Sequence, residues 1–187
     1  MFILYAIVAG LIIGVATGGS PARLGDLRFS WAPVVALGLL VQVALFSTPL
    51  GAALGSIAPW AYVGSTAIVL VAVARNLHIR GMALVLLGGL SNAAAIAVNG
   101  GYMPVSEAAL AAMGRAEAAG YSNSRLVEDV RLAALTDIFT MPTWVPAANV
   151  FSVGDVLIGV GAAVVIVTAM RRPAPDTGSR PSGAAAH

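Results

Sequence analysis

Asp137 and Asp155 are the residues of this sequence best suited to chemistry. They stand 18 positions apart, and two carboxylates brought together can share a proton, so that one activates water while the other donates to a substrate carbonyl. Partial burial at the edge of an apolar region helps to separate their pKa values. The intervening stretch Met141-Pro-Thr-Trp-Val-Pro146 can return the chain on itself, as such a dyad requires. In this reading Asn92 or Asn99 binds substrate by orienting a backbone amide, and no metal or cofactor takes part. Both acids also have a structural account. Ser152-Val-Gly-Asp155 fits the S-x-x-D capping pattern ahead of an apolar run, where a carboxylate also favours the positive end of the helix dipole. For Asp137 the structural account is a solvated loop carboxylate or a helix-end cap.

The elements that must position these residues are apolar almost throughout. Of 187 residues, 59% are hydrophobic and only 10% charged, and mean hydropathy is +0.91. An ordinary soluble domain carries about 25% charged residues, so a conventional soluble enzyme is excluded and an all-α integral membrane protein is expected. The ten basic residues are all Arg, and with eight acids they give a net charge of +2. They are scattered rather than clustered, which gives no nucleic-acid footprint. Cysteine is absent, so there is no disulfide framework, thiol nucleophile or Cys-based metal site. The first apolar run has neither a basic flank nor a small-x-small cleavage signal, and reads as a retained span.

Hydropathy predicts a five-helix bundle, with spans at about 2–18, 32–46 (with an extension towards Leu54), 59–74, 82–98 and 153–170. Pro49 breaks the second, because proline lacks the donor that a helix interior needs. Arg23, Arg28, Arg75, Arg80, Arg171, Arg172 and Arg180 fall on one side of this arrangement, against Arg115, Arg125 and Arg131 on the other. Arg near span ends stays cytoplasmic, so the expected topology is an external amino terminus and a cytoplasmic carboxyl terminus. Trp60 and Trp144 then lie near the outer interface and Trp31 near the inner one. Residues 1–170 form the transmembrane domain, and 171–187 read as a disordered cytoplasmic tail rich in Pro and Gly. Gly10, Gly14 and Gly18, and likewise Gly51 and Gly55, have the GxxxG spacing of close helix packing. Gln42, Ser65, Thr66, Ser91 and Asn92 are polar residues inside spans, suited to interhelical hydrogen bonds. His78 reads as a solvated or headgroup residue.

An external segment, 99–152, separates spans four and five. Asn99-Gly-Gly-Tyr-Met-Pro104 predicts a turn. Ser106 should cap an Ala-rich helix running to about Ala119, and a second helix is expected from Ser124 to about Leu135. Both should lie on the outer membrane surface or fold over the bundle. From Asp155 to Arg171 is 16 residues, or about 24 Å of helix against a hydrocarbon core of about 30 Å, which sets Asp155 near the outer boundary.

Two stretches together, Asn99-Gly-Gly-Tyr-Met-Pro-Val105 and Leu135-Thr-Asp-Ile-Phe139 followed by Asn149-Val-Phe-Ser-Val-Gly-Asp-Val-Leu-Ile158, resemble a family of small bacterial polytopic membrane proteins of unknown function. The resemblance covers about residues 1–170 and implies a membrane location without an activity. The carboxyl-terminal part also resembles lipoprotein signal peptidase, the membrane aspartic enzyme that cleaves lipidated prolipoproteins. Phe151, Asp155, Ile158 and Gly161 match its final-span pattern, with Ser152 in place of Asn and Gly154 in place of Ala. Asp137 matches the first catalytic Asp, with Ile138 in place of the neighbouring Phe. The resemblance departs in span number, five here against four, in the position of the Asn-x-Gly motif, and in Ala93-Ala-Ala95 standing where the enzyme has an Asp-Arg pair.

The expected function is therefore an aspartic hydrolase of the signal-peptidase kind, acting at the outer membrane-water interface, with Asp137 and Asp155 catalytic. Its partners would be membrane lipids and a membrane-anchored peptide or protein. The alternative is a non-enzymatic scaffold or protein- or lipid-binding module. A transporter is the weakest reading, because ionisable residues are missing from the span centres.

Overall fold

The computed structural model describes residues 2–113, 124–126 and 129–172. The chain is mostly helical: α1 (Phe2–Ala16), α2 (Ala32–Ser47), α3 (Leu50–Leu54), α4 (Ala58–Ala74), α5 (Met82–Val98), α6 (Glu107–Ala112) and α7 (Val153–Met170). Four strands of two residues each, β1 (Met103–Pro104), β2 (Ser124–Arg125), β3 (Phe139–Thr140) and β4 (Val150–Phe151), lie in the segment between α5 and α7. Strand β1 pairs in parallel with β2, and β3 pairs antiparallel with β4 in the register Phe139↔Phe151.

Helix limits follow local chemistry. Gly81, with φ 98°, is the N-cap of α5, and Gly100 and Gly101, at φ 76° and 87°, turn the chain just beyond its end. Prolines occupy the first turns of α2 and α4, where no amide partner is lost. Among the described residues, two helical runs are long and apolar enough to cross a membrane. One is Leu50–Ala74, in which a single 3-10 turn at Gly55–Ile57 joins α3 to α4; the other is Val153–Met170. Helices α1, α2 and α5 are apolar but shorter, at 15, 16 and 17 residues.

Packing order differs from chain order. Helix α7 lies between α1 and α5, α5 also packs on α4, and α4 on α2, giving the row α1-α7-α5-α4-α2. Small residues set the closest contacts. A Cβ on Gly10 would stand 2.8 Å from Cα of Ala163, and one on Gly159 would stand 2.9 Å from Cβ of Ala6, so α1 and α7 run parallel. Across the other face, Gly88 meets Ile158 and Gly81 meets Val165, so α5 runs antiparallel to α7. Helices α4 and α5 are antiparallel, since Gly89 meets Leu70 while Ile96 clusters with Tyr62, and so are α2 and α4, since Gly38 meets Val69 while Phe46 stacks edge-on against Tyr62. Direction thus alternates along the chain through α1, α2, α4, α5 and α7.

One buried cluster, Leu45, Ala58, Tyr62, Ala95, Ile96 and Met103, lies toward the Phe2 end of the row. Another, Val73, Ile79, Met82 and Val165, lies toward the Met170 end. Of the glycine pairs read from sequence, Gly10 and Gly14 are buried against α7, whereas Gly18 (φ 80°) and Gly55 (φ 53°) serve turns. Residues 21–26, between the first two apolar helices, form a 3-10 helix whose leading Ser20 amide donates to the Met170 carbonyl at 2.9 Å.

The segment 99–152 corrects one expectation. Ser106 does cap α6, its Oγ accepting from the Ala109 amide at 3.0 Å. The expected helix from Ser124 to Leu135 does not form among the described residues: Ser124 and Arg125 are in β2, and only Ala133–Leu135 makes a 3-10 turn. Strand pairing with Met103 and Pro104 claims the start of that stretch, and Leu132, at φ 52°, interrupts helical geometry before its end. The remainder of the helix expected beyond Met113, and the tail from 173 onward, lie outside the described residues.

Candidate functional site

Asp155 stands in the first turn of α7, and the capping box expected from Ser152-Val-Gly-Asp is present. The Asp155 amide donates to Ser152 Oγ at 3.0 Å, and the Ser152 amide donates to Asp155 Oδ2 at 3.2 Å. Helix α5 completes the arrangement. Asn92 Nδ2 donates to Asp155 Oδ1 at 2.9 Å, and Ser152 Oγ donates to Asn92 Oδ1 at 2.8 Å. Ser152 is fully buried. These four bonds close a circuit across the α5-α7 interface, in which both carboxylate oxygens and both ends of the Asn92 amide are used. Gly154 makes the approach possible, since a Cβ there would overlap Asn92 Oδ1. Gly88 does the same on the facing helix, against the Gly154 carbonyl.

Asp137 is buried, with 6% of its surface exposed. Its amide donates to the Pro104 carbonyl at 3.0 Å and its carbonyl accepts from the Ser106 amide at 3.3 Å, forming an isolated parallel bridge with Val105. Two residues later the chain enters β3, whose partner strand ends at Phe151, immediately before the Ser152 cap. Because Phe139 pairs with Phe151 in an antiparallel register, Asp137, just before β3, and the start of α7, just after β4, lie at the same end of this short ladder.

Asn92 and Asp155 are brought together directly, whereas Asn99 has a different neighbour. It is the C-cap of α5, and its Nδ2 donates to the Ala95 carbonyl at 2.7 Å and to the Arg131 carbonyl at 2.9 Å. Its Oδ1 accepts from the Arg131 amide at 2.9 Å. Asn99 thus holds the loop that leads to Asp137 against the end of α5.

The rest of this end of the molecule is anchored by aromatic and polar contacts to α1. Phe2 stacks on Phe151 with ring centroids 4.5 Å apart, and Phe151 in turn lies 5.6 Å from Phe139. The Phe2 amide donates to Asn149 Oδ1 at 3.0 Å, and Tyr5 Oη donates to the Pro146 carbonyl at 2.6 Å. An open pocket of about 320 Å³ is lined by Met113 and residues 143–148. Trp144, which lines it, is 83% exposed, and Ala147 holds φ 52°.

Chemically, the circuit fixes the relative position of two helices. A carboxylate offers about four acceptor positions, so Asp155 keeps capacity for further donors beyond the two it engages. Among the described residues no group of three or more His, Cys, Asp or Glu could hold a metal ion.

Each end of the circuit was legible in the sequence but not their link, because Asn92 read as a candidate substrate-binding residue or an interhelical hydrogen-bonding residue without a named partner. Sequence reasoning missed Asn76 altogether. This residue is fully buried, and its Nδ2 donates to the carbonyls of Ala72 (2.7 Å) and Ser30 (2.9 Å) while its Oδ1 accepts from the Ser30 amide (2.8 Å). A signal was present: Ala72-Val-Ala-Arg-Asn76 and Ala95-Ile-Ala-Val-Asn99 share the pattern A-[VI]-A-x-N at two helix ends.

The class defined by these features is a mostly helical protein with apolar helices, two of them long enough to cross a membrane, and an irregular cap seated on one end. The chain belongs to a family of unknown function, DUF5317, whose model matches residues 26–167 and so takes in α2 through most of α7. No curated protein and no solved structure is similar to it.

Proposed function

We propose that this is a multi-pass membrane protein of five spans, with the amino terminus outside and the carboxyl terminus in the cytoplasm. Its outer cap serves as a non-enzymatic docking module for a membrane-anchored peptide or protein. The alternating direction of α1, α2, α4, α5 and α7 supports five crossings, and so does their exposed apolar surface. Leu4, Ile12, Leu37, Leu40, Ile68, Leu87 and Val160 are all exposed, a pattern that suits lipid better than water. At about 1.5 Å per residue the three shorter helices are about 23–26 Å long, so their flanking loops and local thinning make up the difference from about 30 Å. The excess of Arg at the Met170 end supports the orientation.

The docking reading is carried by the Asn92-Ser152-Asp155 circuit, in which the more conspicuous acid is committed to joining helices. The open pocket beside Trp144 supplies the surface for the partner. The chain has no cysteine, so single-cysteine variants test the topology cleanly. Thr143→Cys should react with an impermeant maleimide in intact cells, and His78→Cys only after permeabilisation. Equal labelling of both in intact cells would reject the orientation.

A second reading, the aspartic hydrolase of the signal-peptidase kind, is favoured by one observation: buried Asp137 lies at the same end of the β3-β4 ladder as the start of α7. It predicts that purified protein cleaves lipidated peptides and that Asp137→Asn and Asp155→Asn each abolish turnover. The docking reading predicts no turnover by the unmodified protein and partner capture that survives Asp137→Asn. Cleavage lost in both variants would replace it with the hydrolase.

A further inference from the structure

The Met170 end carries a feature that the docking reading leaves unused. The Arg75 guanidinium lies over the Trp31 ring, 4.4 Å from its centroid. Stacking on an indole occupies the face of a guanidinium and leaves its in-plane N–H donors pointing outward, the geometry that grips a phosphate with two bonds. Among the described residues no salt bridge engages Arg28, Arg75 or Arg80, and all are exposed. Leu27 and Phe29 on one loop and Ile79 on the other belong to a single apolar cluster, which brings Arg28 and Arg80 to the same end as Arg75. Arg23, by contrast, is spent on the Met170 carbonyl, 3.4 Å away.

Backbone geometry points the same way. Trp31 holds φ 64°, a left-handed conformation that is strained for a residue other than glycine. Asn76 secures it by pairing with the backbone amide and carbonyl of Ser30, one residue earlier. Glycine would adopt this turn without strain, so the indole is held here at a cost. The site also continues into apolar surface: Trp31 is 44% exposed and begins a helix that presents Leu37 and Leu40 outward.

We infer that Trp31 and Arg75, flanked by Arg28 and Arg80, clamp the headgroup of an anionic phospholipid in the inner leaflet. The cations take the phosphate while the adjoining face of α2 receives the acyl chains. A free phosphate ion would make no use of that apolar face. The inference rests on the five-span reading.

The test uses full-length protein extracted in mild detergent, incubated with phosphatidylglycerol or phosphatidylcholine, and weighed by native mass spectrometry. Phosphatidylglycerol should be retained in preference to phosphatidylcholine. Arg75→Gln should reduce that retention about fivefold, the scale of one basic residue at an anionic surface. Arg172→Gln removes the same charge away from the clamp and should leave retention unchanged. Equal retention of both lipids, equal losses in the two variants, or displacement of phosphatidylglycerol by millimolar inorganic phosphate would each overturn the clamp. Washing membranes with alkaline carbonate separates the two levels of the argument. Release of the protein would overturn the five-span reading and the clamp with it, whereas a protein that stays embedded while Arg75→Gln binds normally overturns the clamp alone.

Discussion

Asn76 and Asn99 perform the same manoeuvre at opposite ends of the molecule. Each follows an Ala-[Val/Ile]-Ala-x sequence at the end of a helix, and each donates to the carbonyl four residues back. Each then pairs with both backbone groups of a distant residue, Ser30 for Asn76 and Arg131 for Asn99. In both cases the next residue is left-handed, Trp31 at φ 64° and Leu132 at φ 52°, and is the N-cap of the following helical turn. The difference lies in what surrounds them. Asn76 is fully buried and its partner leads into α2, whereas the Asn99-Arg131 bonds are open to water and lead into an irregular cap. The same three hydrogen bonds therefore carry unequal weight: a buried donor or acceptor left unpaired loses its solvation outright, while an exposed one recovers it from water.

That contrast is open to measurement. Asn76→Ala strips the buried Ala72 carbonyl of its side-chain donor and leaves the part-buried Ser30 groups unpaired, and at about 1–3 kcal/mol for a buried unsatisfied group it should cost about 2–3 kcal/mol. Thermal unfolding in detergent should show it as the largest single-residue loss at either end; a shift no greater than that of Asn99→Ala would break the comparison. Gly154→Ala comes next, because its methyl would drive α5 and α7 apart at the Asn92 contact, a misfit worth about 1–3 kcal/mol. A methyl there would also stand 2.7 Å from the Gly88 carbonyl, so a Gly154→Ala, Asn92→Ala double variant that loses less than the sum of the two single losses would assign the excess to the Asn92 contact.

Asp155→Asn keeps the shape of the side chain but replaces one acceptor by a donor, and should cost about 1–2 kcal/mol as the capping box opens. Its amide exchange should rise at the start of α7 and stay unchanged at Asn76. Asn99→Ala should lower global stability by only about 0.5–1.5 kcal/mol, while exchange at the Arg131 amide accelerates markedly. Leu132→Gly lies at the small end of the series. It relieves a left-handed residue at an exposed site, and should be neutral or stabilising by less than about 1 kcal/mol.

The helices were legible because their punctuation is local. Gly81, Asn99 and the paired glycines bracket α5, and Ser152 with Asp155 opens α7, so both were expected within a residue or so of where they lie. The capping box needed no partner outside its own turn. The circuit through Asn92 was not legible, because it depends on which faces of α5 and α7 meet, and that is decided by Gly88 and Gly154 together. The second external helix failed for a related reason. Leu126, Val127, Val130 and Leu135 have helical spacing, but Ser124 and Arg125 pair with β1, and Asn99 ties both backbone groups of Arg131, in a turn, to the end of α5. Long-range pairing outweighed a pattern that was correct only locally. Likewise the burial of Asp137, read as a candidate catalytic acid with a solvated loop carboxylate or helix-end cap as its structural account, was not legible, since burial among segments distant in sequence leaves no periodic trace.

The position of α7 between α1 and α5 has a consequence for how the protein is made. While a ribosome is still adding the cap, α1 has emerged but the neighbour that fills the groove along Gly10 and Gly14 does not yet exist. The opening helix must wait for the last one to slide in beside it, like a book shelved with a gap left for its companion volume. Chains arrested before residue 153 should therefore hold their first helix loosely and be open to capture by insertion or quality-control machinery, and arrival of the final helix is the event that seals the row.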